Sequence, residues 1–368
     1  MNRNELLKTL VETESPSHDK AAVDRVGAMI AAEARKLGAQ VEIIPNKETG
    51  NHVLCRFPSP NGREVRGEGG ILLLCHMDTV FPLGTIHKTP FREADGKIFG
   101  PGTLDMKAGI VIALAALEDA QKSGLNRPLT LLCTSDEEIG SMTSREHIER
   151  LAKESALVLV LEPGLVDGSL KTWRKGVGEF WVRTKGRAAH AGSDHEKGRN
   201  AIEEMAYQVI SIQKLTNYTK QTTLNVGVIQ GGTVSNVVPE ETIIQVDVRV
   251  MQSDEWDRLE LEMSKLKPVL DGTSIEIMGN LNRPPMPFDE TMETTFRKAQ
   301  SIAAQIGMEL KAGGTGGASD GNFIAPLGIP VLDGMGAVGE GAHSEREYIF
   351  TDSLDERAKL VAVLLKNW

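Results

Sequence analysis

Two hydrophobic patterns divide the chain. Apolar residues recur at helical spacing over about 4–13 and again over 19–37, where Val23, Val26, Met29, Ile30 and Ala34 share a face. Short unbroken apolar runs follow: VEIIP at 41–45, VLCRF at 53–57 and ILLLC at 71–75. Then come a helical run over 107–122, LTLLCTS at 129–135, a helix near 144–154 and ALVLVL at 156–161. Continuous apolar strands alternating with helices predict a mixed, mostly parallel sheet covered on both faces. After Lys175 the pattern changes, and GEFWVRTKG at 178–186 alternates as a half-exposed strand does. A helix at about 199–215, strands at 222–230 and 242–250, a helix at 253–267 and a strand at 274–279 complete a β-α-β-β-α-β order. That order predicts a ferredoxin-like α+β domain, closed by the Pro-rich linker NRPPMP at 282–287. Helix 290–306, the loop GGTGGASDG, strand IPVLD and helix 353–366 return to α/β character. The expectation is one α/β domain over 1–175 and 285–368, interrupted by a smaller domain over 176–284.

A length of 368 residues agrees with two domains, being more than one core usually serves. The net charge of -10 argues against nucleic acid and anionic membrane as partners, since both need clustered Lys and Arg. A small anionic substrate stays open, because one or two local cations suffice. Cys55, Cys75 and Cys133 make an odd count, read here as buried thiols in a reducing compartment rather than a disulfide framework. The opening MNRNELLKTLVETESPS lacks a signal-peptide apolar region, and no run nears the roughly 18 apolar residues of a membrane span. A soluble cytoplasmic protein is expected.

The chemistry gathers where strands end. ILLLC runs into His76 and Asp78, LTLLCTSD into Glu137 and Glu138, and ALVLVL into Glu162. GPGTLDMKAG places Asp105 on a glycine-rich turn, and GEGAHSERE supplies His343. Any one of these reads equally well as a helix cap, a solvated loop charge or a hydrogen-bonded histidine. In open α/β sheets, however, ligands bind beyond the carboxyl ends of strands, and so many like charges at one rim would repel without cations. Imidazole and carboxylate without thiolate suit Zn²⁺, Co²⁺ or Mn²⁺. Two histidines and three or four carboxylates exceed one four-coordinate ion. They fit two ions about 3.5–4 Å apart sharing a carboxylate, for which Asp105, central in sequence, is the natural bridge.

The motifs HMDTV, GPGTLDMKAG, TSDEEIGS, LEPG, GRAAHAG and AHSE, in this order over nearly the whole chain, resemble the M20 family of dizinc metallopeptidases. They are most similar to its glutamate carboxypeptidase branch. The resemblance implies that His76, Asp105, Glu138, Glu162 and His343 hold two Zn²⁺, with Asp105 bridging and a cis peptide at Asp105–Met106. It implies Glu137 as general base and Asp78 as the residue orienting His76. The inserted domain becomes a lid and dimerisation domain. Its His190 is implied to reach the other subunit's site and stabilise the tetrahedral intermediate, so a homodimer joined through the lids is expected. Asn236, Arg249 and Gly317 resemble contacts to the substrate carboxylate, and an arginine within IIQVDVRV suits such a partner. Arg283 is a further candidate that reads equally as a surface linker arginine. Lys171, Arg174 and Lys175, in GLVDGSLKTWRKG, are available to an acidic substrate side chain or form a solvated basic patch at a hinge. GGTGGASDG lacks the Gly-Lys-Ser/Thr ending of a phosphate loop, and His18, His52, His87, His147 and His195 carry no motif. The implied function is release of an acidic C-terminal amino acid from a small peptide or N-acyl substrate. The alternatives are a deacylase of the acetylornithine deacetylase or succinyl-diaminopimelate desuccinylase type, and a non-catalytic metal-binding homologue.

Overall fold

The ILLLC run lies in the middle of a mixed sheet. The computed structural model describes residues 2–57, 69–122 and 127–368, and among them that sheet has eight strands. In spatial order they are Gln40–Ile44, His52–Phe57, Leu129–Thr134, Gly70–His76, Ser155–Val160, Val331–Asp333, Leu170–Arg174 and Ala312–Thr315. The four from Leu129–Thr134 to Val331–Asp333 run parallel, with antiparallel pairs outside them. Helices cover both faces, so Ile71 to Leu74 are at most 1% exposed, which is why this strand is apolar without alternation. Helix Ala108–Lys122 is buried from Ala108 through Leu117 and packs on helix Thr351–Asn367. It is therefore apolar around its whole circumference rather than along one stripe.

Three features have no counterpart in the sequence expectation. Leu170–Arg174 is a strand, Ala312–Thr315 is a strand where the sequence predicts the loop GGTGGASDG to begin, and a separate four-stranded antiparallel sheet joins Gly339–Glu340, Tyr348–Phe350, Lys97–Phe99 and Arg92–Ala94 in that order. Strands of two or three residues are too short to show a period of two. The small sheet sets a C-terminal hairpin beside the chain entering the Gly100–Asp105 turn.

These elements form a first compact unit of Met1–Trp173, Phe288–Thr315 and Ser319–Trp368; the second is Arg174–Pro287 with Gly316–Ala318. The second unit is a four-stranded antiparallel sheet in the order Thr223–Gly231, Glu241–Val250, Gly176–Lys185, Ser274–Arg283. With helices Ala201–Gln213 and Ser253–Ser264 between strands, this is the ferredoxin-like arrangement. Phe180, Val182, Met205, Ile244, Val246, Val248, Trp256 and Leu259 fill its core, with Phe180 stacked on Trp256 at 5.0 Å between centroids. The last strand runs past 279 to Arg283, across a register shift between Leu281 and Arg283. Arg283 is consequently a strand residue, 7% exposed, and not part of a surface linker.

Candidate metal centre

Three parallel strands bring the first groups together. His76 is paired with Thr134, and Leu74 with Val160, so residues just beyond these positions share one rim of the sheet. Past Thr134 the chain turns through Glu137–Ile139; past Val160 it reaches Glu162. The turn Thr103–Lys107 brings Asp105, with a cis peptide between Asp105 and Met106. The hairpin of the small sheet brings His343, in the left-handed region at φ 62°.

The donor atoms form two adjoining groups. His76 Nε2 lies 3.0 Å from Asp105 Oδ1 and 3.3 Å from Glu162 Oε1. His343 Nε2 lies 3.1 Å from Asp105 Oδ2 and 3.2 Å from Glu138 Oε2. Asp105 thus gives one oxygen to each group. Glu137 belongs with His76 and Glu162, all donor atoms within 4.8 Å of one another.

The protonation logic points to cations. His76 Nδ1 is 3.1 Å from the Asp78 carbonyl, which can only accept, so the ring proton sits on Nδ1 and Nε2 presents a lone pair. A single ring nitrogen facing two carboxylate oxygens cannot satisfy both by donation; a positive ion between them can. Burial works against a charged His76, yet hydrogen bonds that a protonated ring would donate to Asp105, Asp78 and Glu162 raise its pKa well above the usual value. Hydrogen bonds to Asp105 and then Glu138 push His343 up to about 11. Asp105 is held down by His343 and His76 although burial pushes it up, and burial raises Glu138. Glu138 Oε1 is buried with no hydrogen-bond partner, an acceptor of the kind that a bound cation satisfies. The residues fit divalent ions bound through nitrogen and oxygen.

Asp78 holds the pieces together. It is fully buried, accepts from Ser17 Oγ at 2.8 Å, and takes the backbone N–H groups of Glu137 and Glu138 at 3.3 and 3.2 Å. Its Oδ1 stands 3.5 Å from His76 Nδ1. Two participants had no sequence signal of their own: Ser17, in an N-terminal loop, and Glu347, whose carboxylate accepts three N–H groups of the Asp105 turn. Glu347 is the last acidic residue of GEGAHSERE, and only its nearness to His343 could have pointed to it.

Of the remaining candidates Lys171 lies in the first unit and the others belong to the second. His190 is exposed and bridges Val237, beside Asn236, whose carbonyl accepts from Ala191 N. Its Nδ1 accepts from the N–H groups of Gly192 and Ser193, both at 3.1 Å, so Nε2 carries the proton and is a donor. Arg249 and Arg283 are both in register with Val177, one from either side, which puts them on one face of the sheet. Arg249 is held by a bidentate pair with Asp247. Arg174, expected to meet an acidic substrate side chain, is 2% exposed and donates to the carbonyls of Gly317 and Ala318 at 3.2 and 3.3 Å. A guanidinium so enclosed orders that loop instead. Lys175 has its pKa lowered by burial and by Arg249.

Comparison with known proteins follows the same lines. The family model described as peptidase family M20/M25/M40 matches residues 72–367. Carboxypeptidase G2 of Pseudomonas sp. (strain RS-16) is 30% identical over 98% of this chain and 88% of that protein. Aminopeptidase PepT of Bacillus cereus superposes with a TM-score of 0.79 at 24% identity, covering 99% of this chain and 98% of its own. The Bacillus subtilis YXEP protein, described as a dinuclear metal binding peptidase from the M20 family, gives 0.68 at 15% identity over 99% and 96%.

Proposed function

Because the chain belongs to the M20/M25/M40 peptidase family, we propose that this metal-dependent hydrolase is an exopeptidase. It uses two divalent ions, Zn²⁺ with Co²⁺ or Mn²⁺ as substitutes, to release an acidic C-terminal residue from a peptide or N-acyl amino acid. The observation that carries the reading is the pair of imidazole nitrogens, each facing two carboxylate oxygens, with Asp105 common to both and Glu137 alongside. His76, Asp105 and Glu162 would hold one ion; His343, Asp105 and Glu138 the other. Such ions supply Lewis acidity, drawing the pKa of water toward neutrality and polarising a carbonyl.

The protein's own groups do the rest. Glu137 takes the proton of the attacking water and returns it to the leaving amine. Asp78 fixes both the His76 ring and the Glu137–Glu138 backbone. Arg249, Arg283, Asn236 and Gly317 receive the substrate carboxylate, and Arg174 keeps Gly317 in place. What favours an acidic substrate is the concentration of Arg249, Arg283 and Lys175 near one end of one sheet, together with kinship to a protein named carboxypeptidase G2. His190, with a proton on its outward nitrogen, serves the developing oxyanion of a second subunit's site. A homodimer is supported by the edge strand Thr223–Gly231 and helix Ala201–Gln213, where Ile202, Tyr207, Ile210, Val228 and Ile229 are exposed.

A panel of N-acyl amino acids and dipeptides with varied C-terminal residues tests the reading. Glutamate- and aspartate-terminated substrates should turn over fastest. Equal rates on acetyl- or succinyl-diamino acids would give the deacylase assignment instead. Glu137→Ala should keep its metal and lose about 10²–10⁴ in kcat. Mixing inactive Glu137→Ala and His190→Ala subunits should restore activity, since one site of each mixed dimer is intact. Absence of restoration, or a fully active monomer in sedimentation, would remove the cross-subunit role.

A further inference from the structure

We propose that Glu347 is a positioning residue that ties the hairpin of His343 to the turn of Asp105 and thereby sets the spacing of the two ligands; the proposal rests on the metal-site reading above. Glu347 is 2% exposed. Its Oε1 accepts from Leu104 N at 2.6 Å and Asp105 N at 2.9 Å, and its Oε2 accepts from Gly102 N at 3.0 Å. Three N–H groups of one turn converging on one point form an anion-binding concavity, and the protein fills it with its own carboxylate. Gly102, at φ 71°, supplies the left-handed step that aims its N–H inward.

The other end of this link is equally fixed. From Gly341 to Glu347 the chain is a compact turn: Ser344 N and Oγ both donate to the Gly341 carbonyl, and Glu347 N donates to Ser344 O. His343 lies inside that turn, and the strand Tyr348–Phe350 follows it directly. Moving Glu347 therefore moves His343, and moving the Leu104–Asp105 N–H groups moves the Asp105 carboxylate.

Stability alone would not favour this arrangement. A buried carboxylate beside Asp105 is costly to desolvate and suffers like-charge repulsion, whereas a neutral acceptor could cap part of the turn at lower cost. With two oxygens the carboxyl group takes three N–H groups at 2.6–3.0 Å, which a side chain with a single acceptor oxygen does not match. That three-point hold falls where two ligands on distant segments must meet.

The test uses the full chain stripped of metal and titrated with Co²⁺, followed by visible absorption and calorimetry. In Glu347→Gln an amide nitrogen replaces one oxygen and faces at least one N–H that it cannot accept. Co²⁺ affinity should fall about 10–100-fold and the absorption bands should shift, with far-ultraviolet circular dichroism unchanged. Glu347→Asp keeps both oxygens but shortens the reach, so it should show a smaller loss and answers the question if the glutamine variant does not fold. Glu255→Gln, a destabilising change in the other unit, should leave Co²⁺ binding as in wild type. The proposal is overturned if the Glu347 variants bind Co²⁺ with wild-type affinity and spectrum, or if Glu255→Gln weakens binding as much. A wild-type protein that takes up no Co²⁺ would defeat the metal-site reading itself, and this proposal with it.

Discussion

Replacing Asp78 by Asn puts the site's scaffold under direct test. The carboxylate has three protein donors, Ser17 Oγ and the N–H groups of Glu137 and Glu138, and a fourth neighbour in His76 Nδ1. An asparagine loses least by keeping its oxygen at the Oδ2 position, where Ser17 and Glu138 donate. Its amide nitrogen then points at the N–H of Glu137, which is left without an acceptor at a cost of about 1–3 kcal/mol. The two surviving bonds drop from charge-assisted to neutral, losing roughly half their strength. A total near 3 kcal/mol corresponds to a melting temperature lower by about 6–12 °C for a unit of this size. The displaced residue is the base itself, so kcat/KM should fall by about 10–100-fold, mostly in kcat. Differential scanning calorimetry and initial rates on one substrate measure both. A D78N protein within about threefold of wild-type kcat/KM, melting where wild type does, would refute the assignment of Asp78 as the organiser of both His76 and Glu137.

Three further outcomes are expected. In Gly109→Ala the new methyl would lie 2.2 Å from the Leu161 carbonyl oxygen and 2.7 Å from the Met106 methyl; backbone cannot yield as a side chain does. A loss of about 1–3 kcal/mol in denaturant unfolding is expected, opposite to the gain this change gives in an exposed helix. Glu255 is held at about 2 by hydrogen bonds from Arg258, then from Lys220 and Thr222, against the opposing effect of burial. Its folded pKa lies below the ordinary 4.5, so its stabilisation is present above that pH and is lost as pH falls through about 2. Acid titration of Glu255→Gln, followed by Trp fluorescence, should show a flatter decline below pH 4.5 than wild type. Chelation should abolish hydrolysis and lower the melting temperature; returning Zn²⁺ at about a hundred times its dissociation constant should restore about 2.7 kcal/mol.

The sequence displayed what rests on long, strong patterns. The runs at 71–75, 129–135 and 156–161 are apolar without alternation because both faces of the central sheet are covered, and the polar residues at their ends stand out by contrast. Parallel pairing then places those ends together without further information. Asp105 and His343 are different: their approach depends on a small sheet whose strands have two or three residues, too short for any periodic signal. Both stood out as candidate ligands on glycine-rich loops, but no local pattern showed that they meet; only the resemblance of the motifs joined them in one ligand set. Arg283 read as a linker because Pro284 and Pro285 follow it, while the strand in fact persists across a register irregularity up to the first proline. Arg174 was visible as a cation but not as a buried one, since nothing local predicts that its donors meet the carbonyls of Gly317 and Ala318. Glu347 and Ser17 act through contacts formed only on folding, Glu347 with main-chain N–H groups and Ser17 with the Asp78 carboxylate.

The insertion of Val331–Asp333 between Ser155–Val160 and Leu170–Arg174 bears on biosynthesis. About 170 residues separate Val160 from Val331, so at roughly 5–20 residues per second the growing polypeptide waits some 10–35 s with that apolar slot open. Throughout that interval the ribosome carries an aggregation-prone half-sheet for chaperones to shelter. It carries no working hydrolase, because His343 has yet to be translated.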